Sequence, residues 1–416
     1  MKAISYDQKF EFTGKAKTYS LIAIAIGLLA IAFGFIAGHG ERTFANLLLM
    51  SYYFACVCMQ GILFCAIQYV SQAGWSASII RIPQAYTKVL PYAAFILIAV
   101  ITLGLFTSHT VVEEGKKIVE PYLYGHWATP GLSVKGSENY DALIAGKSAY
   151  LNIPFFLARL IILLGLYSMF GAMLIKYSKN EDTLGGMSNY NKSFKISAIF
   201  LVVFGFTTPI FAFDAIMSLE AHYFSTLFGW YNFAAMWVSG LAVLTIIVIT
   251  LRQNGYMTWV TDNHLHDLGK LVFAFSIFWT YLWFAQFLLT YYANIPEESV
   301  YYYKRWEPEF KPWFWLNIVL NFCTPVLLLM SRDAKRTTTL LKYVCIVVLC
   351  GHWLDYYLMI MPGTVGAAGR GFGFEEVGVA LGFVGLFTFL ILNTLSKTSL
   401  IPKNHPFLEE SLNHHI

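Results

Sequence analysis

Four ionisable residues stand where the chain is otherwise apolar: Arg159 in FFLARLIILL, Asp214 in FAFDAIM, and His352 with Asp355 in CGHWLDYYL. An ionisable group inside a bilayer costs about 2.5–3.5 kcal/mol on insertion scales, so such groups are rare and point first to function. His352 and Asp355 are three apart, which on a helix puts them on one face within contact distance. A carboxylate beside an imidazole forms a switchable pair that can hold a proton near neutral pH and pass it on. Arg159 is long enough to reach Asp214 from a neighbouring helix. A buried ion pair of that kind serves charge movement or merely fixes packing, since burial alone argues weakly for either. Arg159, Asp214, His352 and Asp355 are therefore the proton-relay candidates, with a hydrogen-bonded packing role as the alternative. No catalytic residue set is evident.

Other constellations carry less. The run Asp262-Asn263-His264-Leu265-His266-Asp267 has the residue types of a metal site but no second ligand group at a defined spacing. It reads better as a helix start, capped by Asp262 or Asn263, with interfacial histidines. His352 is the only histidine well inside an apolar run, so paired axial ligands for a b-type haem are not present. There is no CxxCH for a c-type haem and no cysteine ladder for an iron–sulfur cluster. The six cysteines fall in apolar runs and read as small hydrophobes. The expectation is a chain with no metal, flavin or haem of its own.

The elements that must position the four ionisable residues follow from composition. The chain has 416 residues, of which 57% are hydrophobic and 12% charged, against about 45–50% and about 25% in soluble domains. Lipid is the solvent that such a surface implies. A helix needs about 20 apolar residues to cross a ~30 Å hydrocarbon core. Ten runs qualify or nearly do: 19–37, 44–70, 89–106, 149–175, 196–219, 224–251, 271–292, 313–330, 340–361 and 377–395. The first is too long for a signal-peptide core and should remain as a membrane helix. An even count puts both termini on one side. Of the 28 Lys and Arg, 18 fall on that side, nine on the other, and one, Arg159, within a run, so both termini should be cytoplasmic. Arg159 should lie about 16 Å from the outer end of its helix and Asp214 about one turn from the outer end of its own. The 108–148 segment is the longest external loop, and with 294–311 it offers an ordered surface on which a partner could dock.

An internal repeat is visible. Tyr52, Phe54, Ala55 and Gly61 align at a constant offset with Tyr231, Phe233, Ala234 and Gly240. Lys88 then matches Lys270, Glu113-Glu114 matches Glu297-Glu298, Leu151-Asn152-Ile153 matches Leu316-Asn317-Ile318, and Asp214 matches Asp355. A repeat of four helices, an even number, gives parallel halves. The expected architecture is all-α: two four-helix bundles, 44–219 and 224–361, flanked by the first and last helices in a single membrane domain.

The stretches FAFDAIMSLEAHYFSTLFGWYNFA and NHLHDLGKLVFAFSIFWTYLWFAQFLLTYYANIPEES resemble the NrfD/polysulfide-reductase membrane-subunit family, and within it the ActF-type subunits of alternative complex III, a quinol:cytochrome c oxidoreductase. The resemblance covers roughly residues 15–395. It implies a ten-helix subunit of a bacterial inner-membrane electron-transport complex that oxidises menaquinol or ubiquinol. It also implies partners: a sister NrfD-like subunit, an iron–sulfur protein and multihaem c-type cytochromes, which carry the haem c and iron–sulfur clusters. The chain itself would contribute a quinone-like cavity, a proton path or scaffolding, while quinol oxidation proper would fall to the sister subunit. Two positions depart from the pattern, Ala215 where Trp is common after the acid and Ala221 where Pro is common. A secondary transporter or a purely structural anchor are the other classes, and the absence of matching Gly/Pro interruptions argues against the former.

Overall fold

The structure is a computed structural model that describes residues 6–113, 116–366 and 371–415. Among the described residues, nine helices are long and apolar enough to cross a membrane, which makes this an all-α, multi-pass membrane protein. They are α1 (Lys15–Ile36), α2 (Gly40–Val70), α3 (Arg81–Phe106), α4 (Ile153–Leu184), α5 (Met187–Ala215), α6 (Leu227–Gln253), α7 (Asp262–Ala293), α10 (Thr338–Thr364) and α11 (Phe374–Leu395). A short amphipathic helix, α8 (Pro296–Arg305), follows α7. Outward-facing Leu28, Phe95, Phe206 and Leu289 belong to the belt that lipid would cover.

The run expected at 313–330 differs from a plain helix. It forms α9 over 311–328, in which α-helical Lys311–Ile318 and Thr324–Leu328 flank a π-helical segment, Val319–Cys323. Pro325 has no N–H for the carbonyl four residues back, and the ladder widens just before it. Nine crossings would leave the termini on opposite faces. Instead Leu400 N–H donates to Gln8 O at 3.0 Å and Lys9 bridges Ser399, so both ends meet on one face and α9 supplies the tenth crossing. We call this the terminal face and the other the loop face.

Helix ends depart from the apolar runs for a simple reason: hydropathy sees the lipid-immersed part, whereas a helix continues through polar residues. α7 begins nine residues before its apolar run, and Thr261, not Asp262 or Asn263, closes it in a capping box with His264. The histidines are not interfacial. His264 is fully buried with Nε2 3.4 Å from the hydroxyls of Ser78 and Ser411, because the C-terminal helix α12 (Leu408–Leu412) folds across this end. α4 begins only at Ile153, after Asn152 caps it by accepting from Phe155 N–H at 3.1 Å. Arg159 is thus about 9 Å from the loop-face end at ~1.5 Å per residue, nearer than the apolar run implied.

α2 packs on α3 and α5, α3 on α4, and α4 on α5; likewise α6 packs on α7 and α10, and α9 on both α7 and α10. α2 and α5 meet α6, and α2 also meets α10. α1 lies along α11 through small residues: a Cβ on Gly27 would sit 2.4 Å from Gly382 Cα, so only glycine permits this approach. The loop between α3 and α4 is ordered against the bundle. Its antiparallel hairpin, β1 (Ser108–Glu113) with β2 (Lys116–Pro121), sets His109 on the Tyr122 ring at 4.6 Å and 2.5 Å from Glu41 Oε1. Lys2, Glu114 and Arg370, used in the sequence reading, lie outside the described residues.

Candidate functional site

α10 carries His352, Asp355 and Met359 on one face, at i, i+3 and i+7, turned towards α6, α7 and α9. Asp355 is fully buried, and three neutral donors from three helices hold it. Asn317 on α9 donates to Oδ1 at 2.9 Å, Trp279 on α7 donates to Oδ2 at 3.0 Å, and the Tyr231 hydroxyl on α6 donates to Oδ1. Among the described residues, no Lys or Arg is bonded to this carboxylate. His352 is its neighbour, as the spacing predicts, yet Nδ1 is 3.9 Å from Oδ2, beyond hydrogen-bond length. Both ring nitrogens of His352 are buried without a protein partner, and the ring lies edge-on to Trp279 at 5.4 Å. An unpaired buried polar group costs roughly 1–3 kcal/mol, so its persistence needs a reason beyond packing. Asn321, in the π-segment, extends the polar line by donating to Asn317 Oδ1 at 2.6 Å.

From Asp355 the polar line continues towards the loop face. A cavity of about 20 Å³, room for a single water, is bounded by Asp355, Asn317, Gln286 and Arg305. Arg305 is buried under the tip of α8. It donates to Tyr301 O at 2.6 Å, Met359 O at 3.1 Å and Glu220 Oε1 at 2.7 Å, with its guanidinium 3.2 Å above the Tyr301 ring. Burial opposes the Arg305 charge, but Glu220 and Tyr301 outweigh it and raise its pKa above the ordinary value. Burial pushes the Tyr301 hydroxyl up, against the pull of Arg305. Lys304 adds a second cation 3.8 Å from Glu220. His126 stands on the same face and is drawn down to about 4, by burial first and then by Lys304, so it is neutral at pH 7.

The second acid is held differently. Arg159 forks onto buried Asp214, Nε to Oδ2 at 2.8 Å and Nη2 to Oδ1 at 3.0 Å, and also donates to Tyr150 O at 3.0 Å. Its guanidinium lies 3.7 Å from the centre of the Tyr150 ring and 4.3 Å from that of Phe155. The four candidates therefore separate into two sites, Arg159 with Asp214 near the loop face and His352 with Asp355 closer to the middle of α10. Asp214 on α5 reaches α4 and Asp355 on α10 reaches α9, but one meets a cation and the other an amide.

Neither a protein-family model nor a curated protein matches the chain. Among the described residues, no group of three or more His, Cys, Asp or Glu is placed to hold a metal ion, and all six cysteines are free.

Sequence reasoning passed over Glu220 and counted Arg305 among the external cations, whereas both are buried where Arg305, at the end of α8, meets Glu220. It also missed the pair in which Arg42 donates to Glu376 through Nε at 2.7 Å and Nη2 at 2.5 Å, with Asn46 adding a bond at 3.0 Å. A signal existed at each: charged residues sit in the first turn of α2 and of α11. What joins them is tertiary contact across more than 300 residues.

Proposed function

We propose that this chain is a redox-inactive membrane subunit of a quinol-oxidising respiratory complex, of the ActF type in alternative complex III, and that it provides a proton path to the loop face. The observation that carries this is Asp355: a fully buried carboxylate without a cation, beside an unpartnered His352 and a water-sized cavity that leads to Glu220 and Arg305. His352 lies about 18 Å from the loop-face end of α10 and Asp355 about 14 Å, so the two step outward from the middle of the helix. An imidazole can take up or give up a proton at either ring nitrogen, and neither nitrogen of His352 has a protein partner. Asp355 is its natural next stop, through water, because its neutral donors can stay in place while the proton changes. The forked Arg159–Asp214 pair is already neutralised and acts as a clamp between α4 and α5.

On this reading the two rings of four helices are the parallel halves of a repeat, the terminal face is cytoplasmic, and the membrane is the bacterial inner membrane. Basic residues favour that side. Menaquinol or ubiquinol is the substrate of the complex. A quinone ring does not fit the cavity beside Asp355, which supports a proton path there over a quinone site and leaves quinol oxidation to the sister subunit beside an iron–sulfur protein and c-type cytochromes. A secondary transporter would carry two interrupted helices at equivalent places. Here α9 is interrupted and its counterpart α4 is continuous, which disfavours that class.

Purification in mild detergent, followed by quinol:cytochrome c turnover and proton yield, tests the reading. Iron–sulfur and haem c proteins should co-purify, and Asp355→Asn and His352→Gln complexes should assemble yet lose proton yield. Complete assembly with full turnover and full proton yield in both variants would remove the relay. Purification with no redox partner would remove the complex.

A further inference from the structure

We propose that the chain binds one acidic glycerophospholipid in a cleft between α3 and α4 on the terminal face. The cleft, about 390 Å³, falls in the ~300–1,000 Å³ range of small-ligand sites. Thr87 and Gly171 bring the two helices together: a Cβ on Gly171 would lie 2.7 Å from the Thr87 methyl. Beside that contact the helices part, and Pro91, Ala172 and Ile175 line the apolar end of the opening. Lys88, Lys176 and Lys179 line the other end. Lys397, just past the end of α11, is near enough for its charge to bear on Lys88, as does that of Lys179.

Four exposed cations thus converge at the mouth of the cleft without an ion pair to any acid among the described residues. Their depth argues for lipid. α4 is about 48 Å long at ~1.5 Å per residue and exceeds the ~30 Å core, so Lys176 and Lys179, roughly 12 and 8 Å from its end, stand at headgroup level. The apolar end of the cleft opens beside exposed Tyr92 and Phe95, where acyl chains would run. Phosphate at the lysines and acyl chain along Pro91, Ala172 and Ile175 satisfy both ends of the cleft at once. Basic pockets between membrane helices recognise acidic headgroups by this combination. The site is independent of the quinol reading, since it makes no use of Asp355 or the loop face.

Native mass spectrometry of the full chain in detergent, titrated with phosphatidylglycerol and with phosphatidylethanolamine, provides the test. One phosphatidylglycerol should be retained with at least about tenfold preference. Each Lys→Gln change at 88, 176 or 179 should weaken it by about fivefold, and the triple variant by roughly a hundredfold. Ala172→Trp keeps every charge and fills the cleft; it should lose the same lipid, and it serves where the triple variant does not accumulate. Equal retention of the two lipids, or retention in Ala172→Trp, overturns the proposal. So does displacement by inorganic phosphate at matching concentration, which would mark a simple anion site. Cross-linking of the three lysines to acidic residues of a co-purifying protein would mean a protein interface and would overturn it as well.

Discussion

Replacing Arg159 by Met should strand Asp214 and destabilise the α4–α5 contact by about 3–5 kcal/mol. The figure can be built from the structure. Three hydrogen bonds leave with the guanidinium, two to Asp214 and one to Tyr150 O. At about 0.6 kcal/mol each, the mean for interhelical bonds in membranes, they sum to about 2 kcal/mol. The uncompensated charge then dominates, because Asp214 is fully buried, and breaking one side of a buried pair costs about 3–5 kcal/mol. That range already contains the lost hydrogen bonds and the aromatic contacts to Tyr150 and Phe155, themselves on the order of 1 kcal/mol. Arg159→Met/Asp214→Leu should recover most of the loss, since apolar replacement of a whole buried pair is close to neutral. Arg159→Lys should recover only part, because a point charge cannot fork onto both oxygens. Equilibrium unfolding in mixed micelles, followed by tryptophan fluorescence, measures all four proteins. A loss below about 1 kcal/mol in Arg159→Met, or a double variant as unstable as the single, would refute the argument that Asp214 is held by a desolvated pair.

Gly382→Leu should separate α1 from α11, because a Cβ there already meets Gly27 Cα at 2.6 Å; it should lower stability in the same unfolding assay, and unchanged stability would contradict the packing. Arg305→Met should cost about 3–5 kcal/mol in the same unfolding assay by stranding buried Glu220, and full stability in Arg305→Lys would show that the fork to Tyr301 O, Met359 O and Glu220 is dispensable. His405, buried against Tyr69 and Tyr190, is lowered to about 4 by that burial, with Arg81 adding to the effect. Its folded pKa is below the unfolded value of about 6.5, so the unfolded tail binds more protons. Docking strength is therefore complete above pH 6.5 and is lost as pH falls towards 4. Hydrogen exchange over 403–412, corrected for intrinsic rates, should rise at pH 4.5 in the parent and stay flat in His405→Phe.

The multi-pass, all-α character was legible because lipid tolerates no unpaired backbone, which makes a membrane helix an apolar run of predictable length, and nine such helices lie among the described residues. Helix ends were not. Thr261 caps α7 ten residues before the apolar run starts, and no hydropathy argument reaches it. Of the candidate site, the pairing of Arg159 with Asp214 and the contact of His352 with Asp355 followed from side-chain reach and helical spacing. The donors to Asp355 did not follow: Tyr231, Trp279 and Asn317 are ordinary residues of membrane helices until three helices converge on one carboxylate. Likewise the interruption of α9 depends on Pro325, visible in the sequence, but its π-helical form depends on the backbone around it.

Asp214 and Asp355 occupy matching places, yet their surroundings give them different capacities. A proton added to Asp214 would cancel the charge that Arg159 needs and leave a buried guanidinium unpaired, so the carboxylate is tied to one state. A proton added to Asp355 disturbs no cation. Tyr231 can turn its hydroxyl, while Asn317 on Oδ1 and Trp279 on Oδ2 can each stay in place, so the cost of changing charge is confined to the carboxyl and its immediate donors. Beside it lies His352, with Nδ1 3.9 Å from Oδ2 and neither ring nitrogen bonded to another side chain. Neutral donors around one acid and a cation fork on the other would let one half of the molecule clamp helices while the other moves charge. On that physical ground, substitutions at Asp355 should register in proton yield and substitutions at Asp214 in stability.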